Sequence, residues 1–345
     1  MKTVVKTADQ NSIHEAAAIL QKGGLVAFQT ETVYGLGANA LDANAVSGIF
    51  TAKGRPQDNP LIIHIAAWED LDKLAANVPP IARRLGEAFW PGPMTMVFKK
   101  TKMVPLNTSG GLDTVAVRFP AAETALRLIR AAGVPLAAPS ANVSGRPSPT
   151  EAAHVVFDLD GKIDMVLDGG SCLYGLESTV VDVTAEPVCL LRPGSVTREM
   201  LEVICGEVNV AAAVTEKDAD EGFAPKAPGM KYTHYAPLAA LTIVNGAPQT
   251  AADYIRRLTC DVDTKIGILA SDQTISGYDH EKTFCISAGD RERPEMIAAG
   301  LYAALRHFDR EGVAQIYAES FAEDGIGLAI MNRLKKAAGF TIIDV

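Results

Sequence analysis

Short apolar runs alternate with stretches of helical periodicity along the first 210 residues of the chain. Leu25–Phe28 and Met94–Phe98 are apolar runs of strand length, whereas Ala121–Ala132 has apolar residues at helical spacing before Gly133. The same patterns predict strands at Leu61–Ile65, Thr114–Phe119, Leu136–Ala138, Met165–Asp168 and Ser178–Val183, and helices at Ala43–Ala52, Leu71–Ala76 and Ile81–Phe89. The alternation predicts an α/β domain with a mainly buried, mixed sheet.

The first helix is predicted at Ser12–Leu20, which is rich in alanine and has apolar residues spaced by about 3.6 positions. Ser12 is the predicted N-cap, with Glu15 three residues later. Gly23 follows as a stop signal, so the helix should end just before the Leu25–Phe28 strand.

The pattern changes after residue 210. Residues 211–237 contain an alanine run, a charged patch and three prolines, which is the composition of a linker. Beyond them, strands at Leu241–Val244, Lys265–Ala270, Phe284–Ser287 and Ala314–Ala318 and helices at Thr250–Leu258, Pro294–Phe308 and Ile326–Ala338 predict a smaller parallel α/β layer of Rossmann-like type. We therefore predict a first domain at 1–210, a linker at 211–237 and a second domain at 238–345. The turn at Gly325–Gly327 either packs a helix or holds a ligand, and we favour packing.

Composition narrows the class of protein. The 345 residues are 48% hydrophobic and 21% charged, with a net charge of −9, as in a globular protein. The chain has 18 basic against 22 acidic residues up to Val210 and 14 against 19 beyond it, so neither part is a basic nucleic-acid module. We find no apolar run of membrane-spanning length, no apolar signal-peptide core, and no C-x-x-C pair among five cysteines. These features predict a cytoplasmic protein with reduced thiols.

The Leu25–Phe28 strand leads directly into polar residues. Two hydroxyls and a carboxylate follow it in Thr30-Glu31-Thr32, and ligand sites are commonly built at strand ends. A purely structural role stays open, because threonine and tyrosine are ordinary strand residues. Gly35–Ala40 also fits a G-x-G-x-x-A dinucleotide pattern, but the next strand lacks the acidic residue that a ribose contact requires.

Cations in glycine- and proline-rich loops are the next candidates. Lys53 and Arg55 flank Gly54 ahead of two prolines, and an Arg fork beside a Lys point charge suits a polyphosphate. The alternative is an exposed basic turn with weak surface ion pairs. Arg118 interrupts an alternating strand just before Pro120. There it either caps the sheet or binds a carboxylate in a bidentate pair.

The loop at 136–150 is dense in small, hydroxyl and amide residues, and shorter polar loops lie at 177–179 and 191–195. The sequence has no G-x-x-x-x-G-K-[ST] loop, no H-E-x-x-H and no G-x-S-x-G. His64 ends an apolar run and is either a satisfied core histidine or a ligand. These residues alone indicate an α/β enzyme that binds an anionic ligand.

A set of ordered motifs carries a resemblance to a known family. They are TETVYGLG at 30–37, KGRPQDNPL at 53–61, WPGPMT at 90–95, VAVRFP at 115–120, PSANVSG at 139–145, ESTVVD at 177–182, LRPG at 191–194, PGMKYTHYAP at 228–237 and GIGLAIMNRL at 325–334. Over its whole length the chain resembles the two-domain form of the YrdC-type threonylcarbamoyl-adenylate synthases, which have a YrdC-like twisted mixed sheet and a C-terminal Rossmann-like domain.

The resemblance implies an enzyme that converts ATP, L-threonine and bicarbonate to threonylcarbamoyl-AMP and pyrophosphate, with Mg²⁺ accompanying ATP. The product would pass to the tRNA threonylcarbamoyl transferase complex for the threonylcarbamoyladenosine modification of tRNA. Direct tRNA binding is not indicated by the acidic composition, and no membrane partner is implied.

The resemblance also implies site residues. The nucleotide-contacting positions are Lys53, Arg55, Asn59, Thr114, Ser140, Asn142, Ser148, Arg192 and Tyr235, of which Lys53, Arg55, Ser140 and Asn142 would hold the phosphates and act as the catalytic set. The threonine-contacting positions are Thr32, His64, Arg118, Ala138 and Ser178, with Arg118 on the carboxylate. No residue is assigned to a metal. Gly35–Gly37 would then shape the loop beside the threonine pocket.

The resemblance gives the linker a role as well, because in this family it folds over the active site. Tyr232, His234 and Tyr235 would help to close the pocket, and Tyr235 would touch the nucleotide. Gln29 departs from the family pattern, which usually has proline before T-E-T; glutamine restores a backbone N–H and frees φ, so we expect a small geometric effect.

Two other functions are compatible with parts of the sequence. One is an RNA-binding or ribosome-associated module, against which the net acidity argues. The other is carbamoyl transfer from carbamoyl phosphate, as in maturation enzymes that share this domain, although their zinc-finger and acylphosphatase modules are missing from this sequence.

Overall fold

The computed structural model describes residues 2–214, 234–260 and 262–345. They form two compact units: residues 2–144 and 148–214 belong to the first, and 145–147, 234–260 and 262–345 to the second. Most of the predicted linker, including Tyr232, lies outside the described residues. In the part of the chain that is described, we find no helix with both the length and the apolar character needed to cross a membrane.

The first unit alternates strands and helices, as predicted. Its strands are β1 (Val4–Thr7), β2 (Val26–Phe28), β3 (Gly35–Asn39), β4 (Ile62–His64), β5 (Met94–Lys99), β6 (Thr114–Arg118), β7 (Leu136–Ala137), β8 (Met165–Asp168), β9 (Thr179–Asp182), β10 (Cys189–Arg192) and β11 (Asn209–Val210). Its helices are α1 (Gln10–Gln21), α2 (Ala43–Lys53), α3 (Trp68–Leu74), α4 (Pro80–Phe89), α5 (Glu123–Ala132), α6 (Ala152–Leu159) and α7 (Arg198–Cys205). The pattern did not predict β1, β3, β10, β11, α6 or α7, which are only two to eight residues long.

These strands form a single sheet in the order β1-β8-β2-β3-β7-β4-β6-β5-β9-β10-β11. Neighbouring strands pair in both senses: β4 is parallel to β6, whereas β5 is antiparallel to β6. The mixed sheet is therefore confirmed. The register of β4 and β6 places His64 opposite Arg118, which brings two predicted threonine-contacting residues to one end of the sheet.

Gly35 and Gly37 lie in a strand, so the predicted loop is wrong. They belong to β3, which pairs antiparallel with β2. A Cβ atom at Gly37 would stand 2.7 Å from Cε1 of Phe28, and one at Gly35 would stand 3.3 Å from Cβ of Ala138. The glycines are needed because the Phe28 ring lies directly on β3.

The start of α1 also differs from the prediction. Its N-cap is Asp9, whose carboxylate accepts a hydrogen bond from the backbone N–H of Ser12 at 2.8 Å. Ser12 is a buried residue of the first turn, so the predicted Ser12 cap is wrong. Aspartate and serine are equally good caps, and the sequence offered both within three positions.

The second unit is a parallel α/β layer, as predicted. Its strands are β12 (Ala240–Asn245), β13 (Ile266–Ser271), β14 (Thr283–Gly289), β15 (Gln315–Glu319) and β16 (Ile342–Asp344), and its helices are α8 (Pro248–Thr259), α9 (Pro294–Glu311) and α10 (Gly327–Ala337). The strands pair in parallel in the order β14-β13-β15-β12-β16. A Cβ atom at Gly327 would stand 2.1 Å from the carbonyl oxygen of Ala322, so packing at the start of α10 accounts for this glycine.

Gly37→Ala should destabilise the first unit by about 1–3 kcal/mol, because the new methyl group overlaps the buried Phe28 ring. The free energy of unfolding from urea denaturation measures the effect. Gly48→Ala is the matched control in the same unit. Gly48 lies inside α2, a Cβ atom there would stand 3.4 Å from Cδ2 of Leu25, and alanine favours helices. Equal stability of the two variants would contradict close packing of Phe28 on β3.

Candidate active site

The turn after β2 is built by the hydroxyl group of Thr30. Its Oγ1 accepts hydrogen bonds from the backbone N–H groups of Thr32 and Val33, both at 3.2 Å, and donates to the carbonyl oxygen of Val33 at 2.6 Å. Side-chain bonds of this kind form a tight turn without a glycine. The turn buries Thr32 completely and holds its hydroxyl 2.9 Å from that of Thr30.

Arg118 lies at the end of β6 and points its guanidinium group at this turn. It donates to Thr32 Oγ1 at 2.8 Å, to Glu31 Oε1 at 2.6 Å and to the carbonyl oxygen of Gly92 at 3.3 Å. The side chains of Arg118 and Glu31 are only 4% and 7% exposed. The structure therefore joins the predicted residues Thr32 and Arg118, and it adds Glu31, which was not predicted as a site residue.

Burial raises the pKa of the Glu31 carboxyl group, but the charge of Arg118 and hydrogen bonds from Arg118 and the backbone outweigh burial, so the pKa lies below its ordinary value. Glu31 is therefore a carboxylate, and its pair with Arg118 carries no net charge. A site with both charges present suits a zwitterionic amino acid.

His64 is a buried, neutral imidazole next to this pair. Burial and the neighbouring charge of Arg118 lower its pKa to about 3. Its ring meets the Phe28 ring edge-on at 6.3 Å, and its Nδ1 atom is buried with no hydrogen-bond partner among the described residues. A core histidine normally satisfies both ring nitrogens, so the geometry favours the ligand interpretation over the satisfied core histidine.

Ser178 and Arg192 lie side by side, although the resemblance assigned them to different substrates. Arg192 donates through Nε to the carbonyl oxygen of Ser178 at 3.0 Å and through Nη2 to its Oγ at 3.1 Å. The Ser178 hydroxyl also lies 2.8 Å from that of Thr95. Because both residues are buried, this corner of the site is fixed by its own hydrogen bonds.

Lys53 is the last residue of α2 and is only 2% exposed. Its Nζ donates to the carbonyl oxygens of Ser140 and, at 2.5 Å, of Asn142. The Ser140 hydroxyl donates to Asn142 Oδ1 at 2.5 Å. Three of the predicted phosphate residues are thus brought together, and the lysine shapes the loop that carries the other two.

Arg55 behaves similarly toward its own loop. It donates to the carbonyl oxygens of Asn59 at 3.3 Å and Pro60 at 3.0 Å. Asn59 Oδ1 is buried with no hydrogen-bond partner in the described part of the chain, which suits a ligand that donates a hydrogen bond. The alternative of an exposed basic turn is wrong, because Lys53 and Arg55 are both buried.

The remaining predicted residues are spread more widely. Ser148 donates to Glu177 Oε1 at 2.5 Å, and Glu177 is a second buried carboxylate that was not predicted. Ala138 is buried, and its N–H donates to Ile62 at 2.9 Å. Thr114 lies at the opposite end of β6 from Arg118, about 13 Å away along the strand.

Tyr235 is buried in the second unit, with its ring 5.2 Å from that of Tyr302 and 5.5 Å from that of His234. Its contact with a nucleotide stays a prediction.

Gln29, which replaces the family's proline, donates from Nε2 to the carbonyl oxygen of Ser171 at 3.1 Å. The described residues contain no group of three His, Cys, Asp or Glu placed to hold a metal ion.

Two family models match the chain. The Sua5/YciO/YrdC model, described as telomere recombination, matches residues 18–194, and the model of the threonylcarbamoyl-AMP synthase C-terminal domain matches residues 196–339. The chain is 50% identical to the threonylcarbamoyl-AMP synthase of Pyrococcus abyssi over 336 residues, which is 96% of each chain. It is 46% identical to that of Bacillus subtilis over 332 residues, covering 96% of this chain and 94% of the relative.

A solved structure agrees with these matches. The crystal structure of P. abyssi Sua5 complexed with L-threonine has a TM-score of 0.91 at 48% identity, and the match covers 100% of this chain and 99% of that one. With a matched model for each domain and relatives of near-equal length, the chain belongs to the threonylcarbamoyl-AMP synthase family in its two-domain, Sua5 form.

Proposed function

We propose that this chain catalyses the formation of threonylcarbamoyl-AMP and pyrophosphate from L-threonine, bicarbonate and ATP. The observation that carries the proposal is the buried group of Arg118, Glu31 and Thr32 beside a neutral His64. It offers paired charges for an amino acid and hydrogen-bonding groups for its side chain. Membership of the synthase family supports the same reaction.

The first bond forms at the amino group of threonine. The amine attacks the bicarbonate carbon and water leaves, which gives a carbamate. Arg118 would hold the α-carboxylate through its guanidinium fork, and Thr32 and His64 would contact the rest of the amino acid. Ala138 and Ser178 would complete this side of the pocket. Binding both reactants in one geometry supplies most of what this step needs.

The second bond forms between a carbamate oxygen and the α-phosphorus of ATP, and the bond from that phosphorus to the bridging oxygen of pyrophosphate breaks. Lys53, Arg55, Ser140 and Asn142 would stabilise the phosphates, with Asn59, Ser148 and Arg192 also on the nucleotide. Mg²⁺ would accompany ATP and neutralise phosphate charge. Such a displacement depends on position and electrostatics and needs no protein nucleophile.

The product is an activated acyl group that a transferase must accept. We propose that it passes to the tRNA threonylcarbamoyl transferase complex in the cytoplasm, where it serves the threonylcarbamoyladenosine modification. Direct tRNA binding by this chain is not part of the proposal, because the net charge of −9 is unfavourable for it.

Pyrophosphate release from ATP should require both L-threonine and bicarbonate, and Lys53→Ala or Arg55→Ala should lower it about 100-fold or more by removing a desolvated phosphate contact. Lys102→Ala and Arg83→Ala remove exposed residues of the same types and should leave turnover unchanged. Thermal unfolding checks that each variant is folded. Release that is independent of threonine, or a product made from carbamoyl phosphate, would contradict the proposal.

Thr32→Val should lower kcat/KM for threonine about 10–100-fold, because the isosteric side chain lacks the hydroxyl and leaves a buried donor of Arg118 unsatisfied. Initial rates at varied threonine, and then at varied ATP, measure the effect, with KM for ATP expected to stay within about twofold. Thr108→Val is the control, since Thr108 is equally buried and donates to the Ala40 carbonyl instead. Similar losses in both variants would argue against a role of Thr32 in threonine binding.

The low pKa of His64 predicts a pH-dependent stability. Below its ordinary pKa of 6.5 the unfolded chain takes up a proton at His64, whereas the folded chain does so only near pH 3. The unfolded state then binds more protons, so stability falls as pH falls, by about 2 kcal/mol at pH 5. Urea denaturation between pH 7 and pH 5 should show this loss in the wild type but not in His64→Gln, and parallel curves would disprove it.

A further inference from the structure

Glu31 connects three segments of the first unit. Its carboxylate accepts from Arg118 at 2.6 Å through Oε1 and from the backbone N–H of Ala122 at 3.1 Å through Oε2. Its own carbonyl oxygen accepts from the N–H of Tyr174 at 2.8 Å. One residue thus ties the turn after β2 to the end of β6, to the start of α5 and to the segment after β8.

These bonds determine where the Arg118 guanidinium lies. An arginine side chain has several rotatable bonds, and holding it in one orientation costs entropy. Glu31, Thr32 and the Gly92 carbonyl each bind a different nitrogen of Arg118. Of these three partners only Glu31 is charged, so it supplies the strongest restraint.

The hydroxyl groups beside Arg118 have a fixed direction of donation. The Val33 carbonyl can only accept, so Thr30 donates to it. Thr32 must then donate to Thr30 across their 2.9 Å contact and accept from Arg118. Thr32 therefore presents to a ligand only an acceptor.

We propose that Glu31 is a positioning residue for the amino-acid substrate: by fixing Arg118 against Thr32, it sets the site before threonine binds. The proposal rests on the proposed function, in which Arg118 holds the threonine carboxylate. Removing the charge of Glu31 frees the guanidinium and leaves a buried cation unpaired. Threonine binding is then weaker. ATP binding is unchanged, because Glu31 does not contact the residues assigned to the nucleotide.

The second unit contains a matched control. Glu319 is fully buried and pairs with Arg291 at 2.8 Å, and it also accepts from Thr274 at 2.5 Å and Tyr278 at 2.9 Å. Neutralising either glutamate breaks a buried ion pair, with a comparable loss of stability. Only the pair of Glu31 lies beside the residues assigned to threonine.

The test is calorimetric titration with L-threonine, together with pyrophosphate kinetics at varied threonine and varied ATP. Glu31→Gln should raise Kd and KM for threonine about tenfold or more and leave KM for ATP within about twofold. Glu31→Asp should recover part of the affinity, and Glu319→Gln should leave Kd unchanged. Equal affinity of Glu31→Gln and wild type, or an equal loss in Glu319→Gln, would overturn the proposal.

A second variant covers the case in which Glu31→Gln does not fold. Ala122 has a φ of −63°, which proline accepts. Ala122→Pro replaces the N–H that donates to Glu31 Oε2 at 3.1 Å with a Cδ atom, which displaces the carboxylate without changing any charge. It should raise Kd for threonine about threefold, and an unchanged Kd would overturn the proposal. Arg118→Lys tests the proposed function separately: if it binds threonine like the wild type, or if the wild type binds none, the proposed function itself fails.

Discussion

The buried ion pair between Arg118 and Glu31 is the interaction on which the candidate threonine site depends. Side chains exposed by only 4% and 7% keep their charges in the interior only when each is paired and hydrogen-bonded. Their contact joins the turn after β2 to the end of β6, so Thr32 and Arg118 cannot move independently. The register of β4 on β6 then places His64 beside the same pair.

The other cations assigned to substrate binding are also buried, and each donates to backbone carbonyl groups. Lys53 donates to the carbonyl oxygens of Ser140 and Asn142, Arg55 to those of Asn59 and Pro60, and Arg192 to that of Ser178. A buried cation needs such acceptors to offset its lost hydration. Each cation therefore holds the polar loop whose side chains are assigned to the substrates. Replacing one of them removes a charge and also loosens a loop, so stability and kinetics have to be measured together.

The sequence predicted strands and single residues from local patterns, but it did not predict contacts between residues that are distant in the chain. Apolar runs located β2, β5 and β6, and Arg118 was recognisable as a cation inside a strand. Glu31 and Glu177 were not assigned to the site, because their partners Arg118 and Ser148 lie 87 and 29 residues away in the chain. The burial of Lys53 was missed for the same reason, since its acceptors are 87 and 89 residues distant. The β3 glycines were misassigned because close packing and loop formation select the same residue.

Close packing fixes the strands that carry the candidate site. The Phe28 ring lies on Gly37, and Gly35 lies against Ala138, so β2, β3 and the residue after β7 are locked together. Adenylation of a carbamate needs two reactants held in line and charge that is already in place, and both requirements are met by fixing loops before the substrates arrive. A buried, internally bonded set of cations meets this need better than exposed ones, because water screens exposed charges and their side chains lose entropy on binding. The stability of the strand ends and the reactivity of the site are therefore consequences of the same hydrogen bonds.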